Sequence, residues 1–381
     1  MTHGHDRCCV ECFEDPFLKA LIRKQGALGD CDYCGSTSIR CVDPCQFTEL
    51  FEEVVNQLYE VVEIGVHRMP DSDPMDYGEP LADLLDEEWR MFSERMPYEQ
   101  RAILLDDVLN CCKDPKDDRF DVSDLWTGKA AEFIHVSFEE HWRYFCWHLQ
   151  HSRRFIVDLE DQDLVDPQHL IEESTDLIGR KLEPGTELYR ARLGGPPPDA
   201  SGHQEPFPLK EMGAPPAELI LRGGRVNPPG IRVLYLALNE KTAVAEVRPW
   251  RGARVSVATF RLERSFRVAD LTAVPRFTTP FGIPNLAWEI ERRGLLRSLA
   301  SQLSAPVPPD ASELEYVPSQ YLSEVIRGQG FEGMVYPTEL GTAPNVVLFD
   351  AEAATATSTR LIEVTGIQYK YGEPQPPRWP F

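Results

Sequence analysis

The sequence predicts an α+β protein: a cysteine-knuckle segment, a helical half, and a last half that mixes helices with strands. Three observations point there. Seven of the ten cysteines fall before Gln46 and include two C-x2-C pairs. From Phe47 onward apolar residues recur at helical spacing for over a hundred residues. Past Gly179 to Gly185, strand-like runs rich in β-branched residues alternate irregularly with helical ones. The expected boundaries are 1–46 for the cysteine-rich segment, 47–182 for the helical domain and 183–381 for the last domain. A doubly wound parallel sheet is not expected, because its strands and helices would alternate regularly.

The cysteine segment comes first. Cys9-Val-Glu-Cys12 and Cys31-Asp-Tyr-Cys34 are two knuckles with eighteen residues between them, a spacing that suits a four-cysteine zinc site. Thiolates two residues apart can face one tetrahedral ion while the knuckle backbone donates to the sulfurs. Gly35 permits the turn that follows such a knuckle. Four sulfurs leave no open position, so the expected role of zinc is structural. Cys8, Cys41 and Cys45 could substitute as ligands, whereas His3 and His5 read as a loose start.

Five helical stretches follow. FTELFEEVVNQLYEVVEIG places Phe47, Leu50, Phe51, Val54, Val55, Leu58, Val61 and Val62 on one broad stripe. The next are PLADLLDEEWRMF, YEQRAILLDDVLNCC and FEEHWRYFCWHLQH, and Pro70, Pro74 and Pro80 mark a loop before them. The fifth runs from Pro167 to about Leu177. In the last half, Ile231 to Leu238 and Val255 to Leu262 read as strands, as do GMVYP, NVVLFD and RLIEVTGIQYKYG. PNLAWEIERRGLLRSLASQL and SQYLSEVIRGQG read as helices, and Pro196 to Pro198, Pro215 to Pro216 and Pro306 to Pro309 as surface loops.

Composition narrows the function. With 42% apolar and 10% aromatic residues over 381 positions, two packed domains are expected rather than disorder. A formal charge of −23 disfavours a broad nucleic-acid or membrane surface, although a single basic pocket is compatible with it. No apolar run reaches membrane-span length and the first residues lack a signal-peptide core, so a cytoplasmic protein is expected. Glycine-rich phosphate-binding fingerprints at a strand-to-helix turn are absent, which argues against Rossmann and P-loop sites.

The most informative stretch is Leu188 to Trp250. Arg190 and Arg192 follow an aromatic in Leu-Tyr-Arg-Ala-Arg, and Arg225 sits in the turn Gly224-Arg225-Val-Asn227-Pro-Pro-Gly230. A strand carrying Tyr235 comes next, then a short helix ending in Glu246. Arginines suit a bidentate grip on phosphate, and a carboxylate on a rigid element suits chemistry at a sugar. Each residue also has a plainer reading. A helix glutamate is commonly solvated, an arginine beside glycine commonly caps a turn, and Tyr235 is most simply a core aromatic.

In order, these motifs resemble the RES domain family from about Glu187 to Tyr371. The family's name-giving serine normally lies in a Tyr-Pro-Ser turn, where this chain has Tyr336-Pro337-Thr338, and its asparagine falls on Asn345. Ser319 is read instead as an N-cap or pocket wall. The resemblance implies an ADP-ribosyltransferase-like mixed α/β fold and an enzyme that consumes NAD as glycohydrolase, phosphorylase or ADP-ribosyltransferase. It implies catalytic roles for Glu246, Arg225, Tyr235 and Thr338, and NAD-binding roles for Arg190, Arg192, Arg225, Tyr235 and Asn345. It also implies a toxin restrained by an antitoxin or other regulatory partner, or an anti-phage role, with self-association into a homo-oligomer. The N-terminal half more loosely resembles the cysteine-rich helical domain that precedes HEPN and RES partners. There Arg143 and His148 fit the R-x4-H spacing of HEPN ribonucleases, against a plainer reading as part of an aromatic core helix. A non-catalytic sensor or assembly module is the reading preferred for that half.

Overall fold

The computed structural model describes residues 6–62, 78–111, 120–122, 124–129, 138–155, 167–305, 313–368 and 372. His3, His5, Pro70, Pro74, Pro306 to Pro309 and Tyr371 lie outside them. Packing divides the chain into two units, 1–137 with 276–291, and 138–275 with 292–381.

The first unit opens with β1 (Cys8–Cys9), α1 (Pro16–Gln25), β2 (Ala27–Gly29) and β3 (Ile39–Val42), the strands forming a small antiparallel sheet in the order β1-β3-β2. Asp15 starts α1 by accepting the Leu18 amide at 2.9 Å, and Pro16 occupies the first turn, where its missing N–H costs nothing. Then come α2 (Thr48–Leu58), β4 (Tyr59–Val61), β5 (Glu79–Pro80), α3 (Leu81–Trp89), α4 (Tyr98–Leu109) and β6 (Leu125–Gly128). Leu18, Ile22, Phe51, Val55, Leu85 and Leu105 share one core with the cysteine segment. Residues 276–291 complete it, with the Phe281 ring 5.0 Å from that of Phe51 and 6.0 Å from that of Phe17.

Two features of this unit depart from expectation. The helix from Phe47 stops at Leu58, and Tyr59–Val61 pairs with β6 instead of continuing it. Tyr59 is buried there and donates to Glu88 Oε2 at 2.6 Å, and β-branched Val61 is at ease in a strand. A disulfide joins Cys45 to Cys111 with Cα atoms 5.4 Å apart, where Cys45 was read as a possible substitute zinc ligand.

The second unit carries α5 (Phe138–His151), α6 (Pro167–Glu173), α7 (Thr175–Ile178), β7 (Gly179–Leu182), β8 (Glu187–Leu193), β9 (Leu234–Ala237), α8 (Glu240–Glu246), β10 (Arg254–Arg261) and β11 (Phe266–Asp270). It closes with α9 (Leu286–Ser304, in this unit from Arg292), α10 (Val317–Gly328), β12 (Gly333–Tyr336), β13 (Asn345–Leu348) and β14 (Thr355–Glu363). One eight-stranded sheet runs β14-β10-β8-β9-β13-β12-β11-β7, parallel only between β11 and β12. Leu188, Leu234, Leu236, Phe260, Val346 and Leu348 pack on one face, and Ala191, Ala237, Val255 and Val257 on the other, against Ala243 of α8. Among the described residues no helix is long and apolar enough to cross a membrane.

The division at residue 137/138 does not coincide with the boundary expected near Gly179 to Gly185. The reason lies in α5, whose stripe of Trp142, Phe145, Cys146 and Leu149 is buried within the second unit. The Phe145 ring lies 4.9 Å from that of Tyr321 on α10, and the Trp142 indole donates to Gln302 Oε1 at 2.9 Å. Helical periodicity shows that α5 has a buried face but not which partner buries it. One junction positions the cavity described next. β8 and β9 share a single registered pair, Tyr189↔Ala237, after which the two strands part.

Candidate functional site

Where β8 and β9 part, a cavity of about 250 Å³ opens, lined among others by Tyr189, Arg190, Tyr235, Glu246, Tyr336 and Asn345. Glu246 ends α8, a short helix that the Asn239 side chain begins by accepting the Thr242 amide at 2.7 Å. The Thr242 hydroxyl bonds both the carbonyl and the amide of Ala343 at 3.1 Å, tying α8 to the loop before β13. Glu246 is then held from two sides. Its Oε1 accepts from the Thr338 hydroxyl at 2.7 Å and from Asn345 Nδ2 at 2.7 Å. Among the described residues no donor engages Oε2. A carboxylate fixed in this way faces the cavity with its rotamer set and one oxygen open, suited to a developing cation.

Arg190 supplies the opposite charge. Its Nη1 donates to the Tyr235 carbonyl at 3.0 Å across the parted strands, while among the described residues its buried Nε has no partner. Burial, aided by the charge of Arg192, pulls the guanidinium down to about 10, so it remains charged at neutral pH. A buried guanidinium with an unused donor is suited to an anionic ligand.

The other predicted residues fall into two groups. Tyr235 and Asn345 line the cavity, and Thr338 touches it through Glu246. Arg192 and Arg225 are not brought to it. Arg192 is exposed, donates to the Glu211 carbonyl and lies 4.7 Å from the Phe207 ring centroid. The Arg225 guanidinium donates to the Gln302 and Ala305 carbonyls at the end of α9, a favourable place for a cation. The plainer reading of an arginine beside glycine describes it well. Tyr235 is an anchor too, since its hydroxyl donates to Asn227 Oδ1 at 2.7 Å and accepts the Val226 amide at 3.0 Å. A Cβ on Gly224 would meet that hydroxyl at 2.5 Å, which is why glycine stands in the turn.

The sequence reading missed the clamp on this turn. Ser319 is not an N-cap, since α10 begins two residues earlier; its hydroxyl donates to the Arg225 carbonyl at 2.6 Å. Gln320 donates to the Gly224 and Asn227 carbonyls, and Ser323 to that of Val226 at 2.6 Å. Polar residues recurring on the first turns of an otherwise apolar helix were the available signal. Tyr189 was also missed as a lining residue, because strand alternation in Glu187–Leu193 places it on the face opposite Arg190, and both line the cavity where β8 and β9 part.

A second candidate site lies in the first unit. The sulfurs of Cys9, Cys12, Cys31 and Cys34 all lie within 4.8 Å of one another, a group that could hold a metal ion. Separations of 3.9 Å (Cys9 to Cys12), 3.4 Å (Cys9 to Cys34) and 3.3 Å (Cys12 to Cys31) are close to the roughly 3.8 Å edge implied by sulfur at about 2.3 Å from a tetrahedral zinc. The Glu11 and Cys9 amides donate to the sulfurs of Cys9 and Cys12 at 3.4 and 3.5 Å, and Gly35 takes a φ of 72°. Hydrogen bonds from Cys12 and Cys9 favour the Cys31 thiolate, and the same contact with Cys31 holds the Cys12 thiol protonated. Four thiolates at these distances would repel one another, so the group could act as a metal site only with a cation among the sulfurs. Cys8 and Cys41 instead bond the Val42 and Ile39 carbonyls, and Cys45 is taken by its disulfide.

Arg143 and His148 are not brought together. Five residues apart on α5, they lie about 140° apart around the helix. Arg143 faces Glu140 at 3.9 Å, and the His148 ring packs against those of Tyr144 and Trp147 at 4.4 and 5.1 Å. His148→Ala is therefore expected to leave RNA untouched and cell toxicity unchanged. Loss of toxicity in a folded His148→Ala protein with undisturbed NAD levels would restore the ribonuclease reading.

Comparison with known proteins adds two findings. Residues 188–370 match the RES domain. Among solved structures, the chain is similar to one from the crystal structure of the M. tuberculosis MbcT-MbcA toxin-antitoxin complex, at 16% identity over 51% of this chain and 92% of that one, with a TM-score of 0.30. No curated protein matches.

Proposed function

We propose that the RES domain of this chain, residues 188–370, degrades NAD by cleaving the bond between nicotinamide and ribose. The observation that carries this is Glu246, its Oε1 held by Thr338 and Asn345, in a cavity that also presents the unpaired Arg190 Nε. As that bond breaks, positive charge grows on the sugar, and a fixed carboxylate lowers the energy of this state more than that of the ground state. Arg190 holds a phosphate of the same substrate, so binding at the remote end positions the scissile bond. Nicotinamide leaves readily and needs no strong general acid. Water or inorganic phosphate then captures the sugar, giving a glycohydrolase or a phosphorylase.

In this reading the enzyme is a toxin, within a toxin–antitoxin pair or an anti-phage response, and a partner protein restrains it. The four-cysteine cluster binds zinc, which stabilises an N-terminal unit acting as sensor or assembly module. The deciding experiment incubates the purified chain with NAD, with and without phosphate, and resolves the products by mass. ADP-ribose marks hydrolysis, and ADP-ribose carrying an added phosphate marks phosphorolysis. Intact NAD in both would overturn the enzyme reading, and a nucleotide-binding module would take its place.

Thr338 tests the geometry more finely. Its hydroxyl donates to Glu246 and accepts the Leu340 amide at 3.1 Å. Thr338→Val is expected to lower NAD turnover about tenfold, because both bonds are lost, whereas Thr338→Ser keeps near wild-type rates. Equal rates for the two variants would show that the hydroxyl does not orient the carboxylate.

A further inference from the structure

Tyr336 ends β12, and its place in the sheet ties it to the carboxylate. It lies opposite Asn345 in the β12–β13 pair, Asn345 lies opposite Ala237, and Ala237 lies opposite Tyr189. Directly opposed residues of antiparallel strands project to the same face, so these four side chains form one row across the sheet. All four line the cavity, and Asn345 in this row donates to Glu246 at 2.7 Å.

The three tyrosines of the cavity differ in how their hydroxyls are used. That of Tyr235 is bonded to Asn227 and Val226, and that of Tyr189 donates to Glu187 Oε2 at 3.2 Å. Tyr336 is only 3% exposed, yet among the described residues no hydrogen bond engages its hydroxyl. The ring is buried while the hydroxyl is not sealed off, and a phenol hydroxyl left unbonded by the protein where it lines a cavity is open to a ligand. Burial, reinforced by neighbouring Tyr235 and Glu246, pushes its ionisation well above the usual tyrosine range. It is therefore a neutral donor at any physiological pH, complementary to the acceptor carboxylate beside it.

We infer that Tyr336 is a further substrate-contacting residue, donating a hydrogen bond to one hydroxyl of the ribose whose glycosidic bond is cleaved while Glu246 accepts from the other. This rests on the NAD-cleaving reading above. A vicinal diol offers one donor and one acceptor on adjacent carbons, and the row presents the matching pair. A site built to bond a substrate hydroxyl discriminates strongly against an analogue lacking it, because its own buried group is then left unpaired.

The test uses the full chain, Tyr336→Phe, and NAD analogues lacking the 2′- or the 3′-hydroxyl of the nicotinamide ribose. The variant removes one oxygen and keeps the ring. Its kcat/KM for NAD should fall about tenfold to a hundredfold, with a melting temperature equal to or above wild type. Wild type should discriminate against one deoxy analogue about tenfold more than Tyr336→Phe does, a coupling that a packing role would not produce. Wild-type kcat/KM in the variant, unchanged discrimination against both analogues, or a melting temperature lower by several degrees would each overturn the assignment while leaving NAD cleavage intact. Absence of NAD cleavage by the wild type is a different outcome, and it overturns both.

Discussion

Glu246→Gln is expected to cut NAD turnover about a hundred- to thousandfold, the usual consequence of losing one preorganised electrostatic contact with a transition state. The substitution is nearly isosteric, and a glutamine carbonyl can still accept from Thr338 and Asn345, which meet the present Oε1 at 2.7 Å each. The bonds to Thr338 and Asn345 are kept, while the charge opposing the growing cation is lost and the open oxygen becomes an NH2 that cannot accept from a ribose hydroxyl. The fall should therefore appear mainly in kcat, with a smaller rise in KM from the lost ribose contact. Arg190 gives the contrast. Its guanidinium acts on the bound substrate as much as on the transition state, so its removal should appear mainly in KM. Full NAD turnover in Glu246→Gln would show that the carboxylate is only the end of a solvated helix.

Much of this site was legible in the order of short motifs. Leu-Tyr-Arg190, the Gly224-Arg225 turn, Tyr235, Glu246, Thr338 and Asn345 were each weak, yet four of them line one cavity and Thr338 holds one of those four. The sequence could not show what each side chain bonds to. Arg225 and Tyr235 read as ligand contacts because their residue types suit that chemistry. Their polar groups are instead satisfied by the ends of α9 and by Asn227 and Val226, partners set by tertiary packing. Strands were hidden for a related reason. β8 carries Arg190 and Arg192 in mid-strand, which obscures its apolar alternation, and the two- to four-residue strands of the first unit are too short to show a period. Local spacing did serve for the cysteines, because a C-x2-C knuckle is defined within four residues and needs no distant partner.

Those knuckles carry the second large expected effect. Removal of metal by a strong chelator, or Cys12→Ser, is expected to unfold the cysteine segment and sharply lower the stability of the first unit. The sheet β1-β3-β2 has strands of only two, four and three residues, too little to stand alone in water. Yet Cys8, Cys9, Cys12 and Phe13 are fully buried and continuous with the core that α1 and α2 share. That shared core supplies part of what holds the segment, and in the zinc-binding reading the ion supplies the rest, on the order of 10 kcal/mol in comparable small sites. Without the ion, four sulfurs within 4.8 Å cannot all be thiolates, and protonated thiols at that spacing are poor substitutes. The Cys45–Cys111 disulfide lies elsewhere in the same unit, so reductant alone should not reproduce the loss. Elemental analysis of reductively purified protein should find zinc that Cys12→Ser releases, with a matching fall in the thermal stability of the first unit. NAD cleavage through Glu246 should persist in that variant, since none of these four cysteines lines the cavity. A folded, fully stable first unit without zinc would leave the cysteines as ordinary core thiols.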